Sequence, residues 1–253
     1  MSNMHGISGL TQSMGISMSF TSNDTQPIYV PSNAISFSAS DTNNHEWSSN
    51  DMSLVSIVYN SNFAVVAADS RSTFISRNQP LSYQDNYKKI VQKGACLVAA
   101  TGLNSFNGRT LEQVVETCKS EESKPLTEEL IQKIQPAVSA ANISANIAVI
   151  GFSSNILEFR VTTIPVDSTQ TNTHTYPTVP NQTSGIYMGE AWAIEYLKKI
   201  PANHLNTSKD AVAFLENHMY AIMEMDKECL PNSIGGTLHL AILQPGETPK
   251  WWI

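Results

Sequence analysis

The sequence has few cysteines, a minority of basic residues and no long apolar run, and each shortage removes a class of protein. Its three cysteines, Cys96, Cys118 and Cys229, lack any CxxC spacing. We therefore expect buried, unreactive thiols in place of a disulfide framework or a thiolate metal site. Lys and Arg number 15 against 22 Asp and Glu and do not cluster, so nucleic acid is a poor candidate partner.

Segments that would take the chain to or through a membrane are also lacking. No stretch approaches the roughly 18 apolar residues that a spanning helix needs. The first residues, Met-Ser-Asn-Met-His-Gly, lack the cationic start and apolar run of a signal peptide. These observations favour a cytoplasmic protein with no membrane partner.

Motifs for metal ions and phosphates are missing as well. The six histidines show no HExxH or similar ligand spacing, and Gly235-Gly236 is not part of a GxxxxGK loop. The HExxH spacing places two histidines on one helix face to bind zinc, and the GxxxxGK loop directs backbone N–H groups at a phosphate. We therefore expect neither a metal nor a cofactor, and we interpret His239, on a predicted strand, as structural.

The chain divides near residue 52. Residues 1–51 are rich in Ser, Asn, Thr, Gly and Met and almost uncharged, so they cannot bury enough apolar surface to fold alone. They are interpreted as a low-complexity N-terminal extension or a propeptide-like segment. Within it, 27–30 and 34–38 alternate like short strands that could add to a sheet edge or dock on a partner. Residues 52–253 are predicted to form one domain, since the chain is 41% hydrophobic.

Hydrophobic periodicity predicts an ordered series of strands and helices in that domain. Apolar or β-branched runs predict a hairpin over 54–59 and 64–68, a strand over 96–101, a second hairpin over 146–152 and 156–163, and a closing strand over 237–243. Helical spacing predicts helices over 104–120, 126–141, 189–200 and 208–225, and 165–184 reads as a long polar connection. This order favours an α+β protein in which antiparallel sheets are covered by helix pairs, a four-layer αββα sandwich. The apolar end Trp251-Trp252-Ile253 is expected either to pack on this core or to anchor on a neighbouring subunit.

Five segments in order resemble one known family, the proteasome subunits and their HslV-like relatives among the N-terminal nucleophile (Ntn) hydrolases. The segments are Ser53-Leu-Val-Ser-Ile-Val-Tyr, Ala67-Ala-Asp-Ser-Arg-Ser-Thr, Asn86-Tyr-Lys-Lys-Ile, Ala99-Ala-Thr-Gly-Leu and Ile234-Gly-Gly-Thr-Leu-His-Leu-Ala-Ile-Leu. The resemblance covers residues 52–244. It implies the αββα sandwich, assembly as a homo-oligomer or ring, and peptidase or amidohydrolase activity on a peptide substrate.

The resemblance also implies roles for individual residues. In that family the nucleophile is a Thr, Ser or Cys at the free end of a processed chain, and its own amine helps as the base. Motif by motif, Ser53 is implied as nucleophile, Asp69 as the acidic member, Lys89 as the buried lysine and Gly102 as the backbone donor to the oxyanion. Ser233 is implied as a further hydroxyl. Arg71 is implied as the structural partner of the Asp69 corner. Lys89 is preferred to Lys88 because it directly precedes Ile90, which should enter a strand.

The resemblance departs from active members at the nucleophile. Those members have Gly before the cut and Thr after it, whereas this chain reads Asn-Asp-Met52-Ser53. Matching hydrophobic residues from Leu54 onwards places Met52 at the catalytic position, whereas counting back from Asp69 places Ser53 there. Met188-Gly189-Glu190 also stands where active members have a Ser-containing, Gly-rich turn.

Two functions therefore stay open. The first is an Ntn peptidase acting through Ser53, freed either by translation from Met52 and excision of that Met or by removal of the extension. The second is a catalytically inactive structural or assembly subunit of the same fold.

Overall fold

A computed structural model describes residues 17–21, 28–30, 53–76, 79–103, 105–153, 156–166, 171–176, 178, 182–200, 205–228 and 232–252. The protein is mixed α/β, and every strand pairing among these residues is antiparallel. The strands are β1 (Ser17–Thr21), β2 (Ile28–Val30), β3 (Leu54–Tyr59), β4 (Ala64–Asp69), β5 (Arg71–Ser76), β6 (Gln79–Asp85), β7 (Ile90–Lys93), β8 (Cys96–Thr101), β9 (Ala145–Ser153), β10 (Ile156–Ile164), β11 (Asn172–Tyr176), β12 (Ser184–Gly189), β13 (Leu238–Leu243) and β14 (Lys250–Trp252). The helices are α1 (Leu111–Glu116), α2 (Ser123–Ala141), α3 (Ala191–Lys198) and α4 (Ser208–Asp226).

The strands form two large sheets and one hairpin. The larger sheet has the order β14-β13-β4-β3-β12-β1-β2, and the smaller has the order β11-β10-β9-β8-β7. The hairpin is β5-β6. The predicted first hairpin thus forms the middle of the larger sheet, and the predicted second hairpin, β9-β10, lies inside the smaller one.

Side chains alternate between two apolar clusters along β3. Leu54 and Val58 join a cluster with residues of α3 and α4. Val55 and Ile57 join a second cluster with side chains of the smaller sheet, such as Phe159. Because both faces of β3 are buried, its sequence is a nearly unbroken apolar run. A third cluster contains side chains of the smaller sheet, α1 and α2.

The helix predicted over 104–120 is much shorter in the structure. It forms only over Leu111–Glu116, because Asn107 and Gly108 adopt positive φ angles of 53° and 77°, which an α-helix does not allow. A capping box at Thr110 then begins α1. Residue 104 lies outside the described residues.

Other elements of the structure begin or end at residues different from those predicted, for local reasons. α2 begins at Ser123, three residues before its predicted start, because Pro125 is tolerated in the first helical turn. The predicted polar connection contains β11, which pairs with β10. α4 agrees closely with its prediction, and the capping box of Thr207 with Asp210 fixes its start.

Two pieces of the N-terminal extension belong to the larger sheet. β1 pairs with β12, and β2 pairs with β1 at the edge. Ile28–Val30 lies within the segment predicted as a strand over 27–30, whereas β1 was not predicted. The segment 34–38 lies outside the described residues.

At the opposite edge, the C-terminal segment adds β14 to β13. Trp251 and Trp252 are 46% and 45% exposed, so the tail joins its own sheet and leaves almost half of each residue accessible to solvent. Ile253 and Cys229 lie outside the described residues, while Cys96 and Cys118 are free, buried thiols. Among the described helices, none is long and apolar enough to cross a membrane.

Candidate functional site

The carboxylate of Asp69 is the centre of the candidate site. Asp69 ends β4 and is fully buried. Its Oδ1 accepts hydrogen bonds from Lys89 Nζ at 2.8 Å and from the backbone N–H of Leu54 at 2.9 Å. Its Oδ2 accepts from the N–H groups of Arg71 at 3.2 Å and Gly235 at 3.1 Å. A buried charge needs such partners, and here they come from four separate places in the chain.

Lys89 reaches this carboxylate from the start of the smaller sheet. It lies directly before β7, and its side chain is only 1% exposed. Its carbonyl accepts from the N–H of Ala100 at 3.1 Å, which fixes it against the end of β8. Lys88, by contrast, is 59% exposed and pairs with Glu112 at 2.7 Å. The structure thus buries the lysine that directly precedes the apolar strand.

Ser53 lies beside this ion pair at the start of β3. The N–H of the next residue, Leu54, is the group that donates to Asp69. The carbonyl of Ser53 accepts from the N–H of Glu190 at 3.0 Å. Ser53 is fully buried, and its Oγ has no hydrogen-bond partner in the described part of the chain. The backbone next to Ser53 is therefore bound to the Asp69–Lys89 pair, but the Ser53 hydroxyl is not hydrogen-bonded to Lys89. Met52 lies outside the described residues.

Gly102 and Ser233 are each two residues away from a residue that bonds to Lys89 or Asp69. Gly102 follows β8, two residues after the Ala100 that bonds Lys89. A Cβ atom at Gly102 would lie 2.2 Å from the carbonyl oxygen of Ser144, so only glycine fits there. Ser233 is buried and lies two residues before Gly235, which bonds Asp69. Direct bonds join Asp69, Lys89 and the 53–54 backbone, whereas Gly102 and Ser233 are connected to this centre only through residues close to them in sequence.

Arg71 holds the corner that follows Asp69. Its guanidinium forms two hydrogen bonds with Asp85, at 2.6 and 2.8 Å, and a third with Asn232. The guanidinium lowers the pKa of the Asp85 carboxyl. A Cβ atom on Gly235 would lie 2.8 Å from the Arg71 guanidinium carbon, so this corner and the glycine pair are tightly packed together.

Two further acids, for which the sequence predicts no role, lie near the site. Glu190 follows β12 and is the N-cap residue of α3; burial first, and then the charges of Asp226 and Asp69, raise its pKa to about 7. Asp226 ends α4, and burial raises its pKa too. Its Oδ2 accepts from the N–H groups of Ser233 and Ile234, while its buried Oδ1 has no partner among the described residues. The only sequence signal for Glu190 is its place in the departing Met-Gly-Glu turn.

The Met-Gly-Glu turn is pressed against the start of β3. Gly189 pairs with Leu54 in the sheet register and has a φ of +122°. A Cβ atom there would lie 1.7 Å from the carbonyl oxygen of Ser53, which no side chain can accommodate. The absence of a side chain at Gly189 therefore lets the Glu190 N–H reach the Ser53 carbonyl.

Within the described ranges, no group of three His, Cys, Asp or Glu side chains is arranged to hold a metal ion. A surface cavity of about 390 Å³ is lined by the Lys88–Glu112 pair, His239 and Trp251, among others, and none of the five predicted site residues lines it.

The chain matches no protein-family model, and no curated protein sequence is significantly similar to it. The functional interpretation therefore depends on the geometry around Asp69 and on the motif resemblance.

Proposed function

We propose that the chain is a proteasome-like Ntn hydrolase, a peptidase or amidohydrolase whose nucleophile is Ser53 once the chain begins at that residue. One observation carries the proposal: Asp69 Oδ1 binds both Lys89 Nζ at 2.8 Å and the Leu54 N–H at 2.9 Å. This contact holds Leu54, and with it the preceding Ser53, against the Asp69–Lys89 pair, which supports the register that places Ser53 at the catalytic position.

The packing supports the finer fold assignment that we include in the proposal. One apolar cluster joins the larger sheet to α3 and α4, one joins the two sheets, and one joins the smaller sheet to α1 and α2. Three successive clusters are what four stacked layers require. We therefore propose the αββα sandwich of the Ntn hydrolases.

The chemistry follows from the groups at the site. Ser53 Oγ attacks the substrate carbonyl, and its proton passes to the freed α-amine of the same residue. The tetrahedral oxyanion receives the N–H of Gly102, and collapse expels the amine leaving group with that proton. Water, deprotonated by the same α-amine, then attacks the Ser53 ester; the acyl–Oγ bond breaks, the carboxylic acid product leaves, and the proton returns to the Ser53 Oγ. Lys89, held by Asp69, supplies a fixed positive charge beside the reacting oxygen.

Removal of the preceding residues is a requirement of this proposal. An amide nitrogen has no available lone pair for a proton, so Ser53 in the middle of a chain has no amine base. Ser53 is also fully buried, and a substrate must reach its Oγ. We propose that the processed chain assembles as a homo-oligomer or ring, as the resemblance implies.

A second candidate is a catalytically inactive structural subunit of the same fold. The observation that favours it is the pairing of β1 and β2, both from the extension, with the larger sheet. Strands that complete a sheet are retained for stability, whereas a propeptide is discarded. In this alternative the Asp69–Lys89 pair serves only to join the two sheets.

One experiment separates the two candidates. The protein is isolated from the cells that express it, its N-terminus is sequenced, its mass is measured under native conditions, and it is incubated with a library of fluorogenic peptide amides. The peptidase proposal predicts a chain starting at Ser53, and hydrolysis that Ser53→Ala abolishes while Ser61→Ala, in the β3–β4 turn, does not. An intact extension in every molecule, without hydrolysis, supports the structural subunit. A stable monomer contradicts the assembly proposed for both.

A further inference from the structure

A second surface cavity, of about 280 Å³, differs in composition from the rest of this acidic chain. The chain has 22 Asp and Glu against 15 Lys and Arg, yet none of the described residues that line this cavity is acidic. A concave site that contains cations and no acids favours an anionic ligand. The lining consists of two cations, an amide, a hydroxyl and two buried apolar residues, respectively Arg109 and Lys133, Asn107, Thr117, and Phe106 and Val114.

Both cations lack an acidic partner in the part of the chain that the structure describes. Seven described Lys and Arg residues form ion pairs, and neither Arg109 nor Lys133 is one of them. Glu129 lies one helical turn before Lys133, but its carboxylate accepts hydrogen bonds from the N–H groups of Lys119 at 2.7 Å and Ser120 at 3.0 Å. The two positive charges are therefore available to a ligand.

Arg109 is part of a tight turn with a defined backbone. Phe106 and Arg109 exchange backbone hydrogen bonds of 2.8 and 3.2 Å. Asn107 and Gly108 between them have φ angles of 53° and 77°, which are typical of a type I′ turn, and Asn-Gly is a preferred pair for that turn. A capping box at Thr110 then fixes the start of α1. The turn therefore presents Asn107 and Arg109 from a backbone that needs no ordering when a ligand binds.

The acidic side chains of α1 lie on a different face of that helix. Glu112 and Glu116 line the separate cavity of about 390 Å³ together with Lys88, whereas Val114 and Thr117 line this one. The Val114 carbonyl, near the end of α1, accepts from the Thr117 hydroxyl at 2.7 Å and from the Thr117 N–H at 3.1 Å. Because that carbonyl is satisfied, the end of the helix repels a bound anion less.

We propose that this cavity binds a phosphate group, either free or carried by a small molecule, through Arg109, Lys133 and the amide of Asn107. The two cations match the nearly two negative charges of a phosphate group, whereas a carboxylate would leave one cation without a partner. Arginine forms two parallel N–H···O bonds with phosphate, and lysine binds it as a point charge.

The site is suited to a single phosphate group. Two cations are too few to hold the phosphate chain of a nucleic acid, and the net charge of −7 opposes such a partner. The proposal is also independent of the proposed hydrolase, because none of the five predicted site residues lines the cavity.

The test is a titration of the uncut, full-length chain with inorganic phosphate, followed by phosphorus NMR. An ionic strength of about 0.01 M keeps screening weak, and a pH of about 8 gives phosphate nearly two negative charges. Arg109→Gln and Lys133→Gln each remove one charge, and Lys133→Arg retains it. The matched control is Lys209→Gln on α4, because Lys209 is exposed and forms no ion pair with any described residue. Circular dichroism shows whether each variant is folded.

Two charge-assisted contacts predict saturable phosphate binding with a Kd of about 1 mM or tighter. Arg109→Gln and Lys133→Gln should each weaken the binding about tenfold, Lys133→Arg should retain most of it, and Lys209→Gln should leave it unchanged. The proposal would be overturned if the folded wild type showed no saturable binding below about 10 mM, or if Lys209→Gln weakened binding as much as the two cavity variants do.

Competition with phenyl phosphate and with acetate identifies the ligand class. Tighter binding of phenyl phosphate than of inorganic phosphate supports an organic phosphate ester that also contacts Phe106 and Val114, and equal or weaker binding supports free phosphate. Acetate that binds as tightly as phosphate would overturn the assignment. Because the measurement uses the uncut chain and needs no hydrolysis, a failure of phosphate binding leaves the proposed hydrolase unaffected, and a failure of hydrolysis leaves the phosphate site unaffected.

Discussion

Replacing Lys89 with methionine should destabilise the protein far more than the same change at Lys88. Lys89→Met keeps a similar volume but leaves the buried Asp69 carboxylate without the side-chain cation that hydrogen-bonds to it. Breaking a buried ion pair by removing one partner costs about 3–5 kcal/mol. The three backbone N–H groups that remain on Asp69 should hold the loss near the lower limit, at about 3 kcal/mol. Lys88→Met removes an exposed pair with Glu112, worth about 0–1 kcal/mol.

Urea unfolding of the full chain, followed by far-ultraviolet circular dichroism and linear extrapolation, measures both losses. The double variant Asp69→Asn with Lys89→Met should be more stable than Lys89→Met alone, because no buried charge is then left unpaired. If Lys89→Met loses no more stability than Lys88→Met, the pair does not carry a buried charge, and the reasoning about the site is wrong.

Three further predictions concern the surroundings of the site. Gly189→Ala should lower the free energy of unfolding by about 3 kcal/mol or more, because its Cβ would overlap the Ser53 carbonyl at a strained φ. Gly246→Ala, with positive φ but open space around it, should lower it by only about 1 kcal/mol. Thermal melting of both variants compares the two losses. Burial raises the Glu190 pKa from 4.5 to about 7, so the folded uncut chain retains a proton that the unfolded chain loses, and stability should fall as pH rises from 4.5 to 7. Glu190→Gln should remove about 2 kcal/mol of that fall, and parallel unfolding curves for the two proteins that show no pH-dependent difference would contradict it. Burial raises the Cys96 pKa to about 11, so a thiol reagent at neutral pH should label Cys96 only after urea is added, and fast labelling of the native protein would contradict this burial.

The strands of the core were predictable because their local pattern and their tertiary environment agree. Leu54–Tyr59 and Ala64–Asp69 are buried on both faces, so their apolar runs left few alternatives. The helix predicted over 104–120 is wrong before Leu111, where the backbone conformation does not follow the hydrophobic periodicity. Leu111, Val114 and Val115 do lie on a buried helical face, but Asn107 and Gly108 adopt left-handed conformations before it, and a hydrophobic pattern contains no information about φ.

The site was predictable only in part, for a similar reason. The burial of Lys89 follows from its place beside an apolar strand, which the sequence shows directly. Glu190 is near the site because the end of β12 pairs with the start of β3, and Asp226 is near it because the end of α4 binds the backbone just before Gly235. The sequence carries no signal for either contact. β1 was missed because Ser17–Thr21 has little apolar character and gains its partner only from β12.

The most direct test of the central claim is the site of covalent modification in the cut protein. A peptide β-lactone, which acylates N-terminal nucleophiles, is added to the chain cleaved before Ser53, and the adduct is located by peptide mapping with mass spectrometry. If Ser53 is the nucleophile, one adduct forms on the Ser53 residue and is absent from the uncut chain and from Ser53→Ala. An adduct elsewhere, or no adduct in a folded and correctly cut protein, would contradict the assignment of Ser53 as the nucleophile.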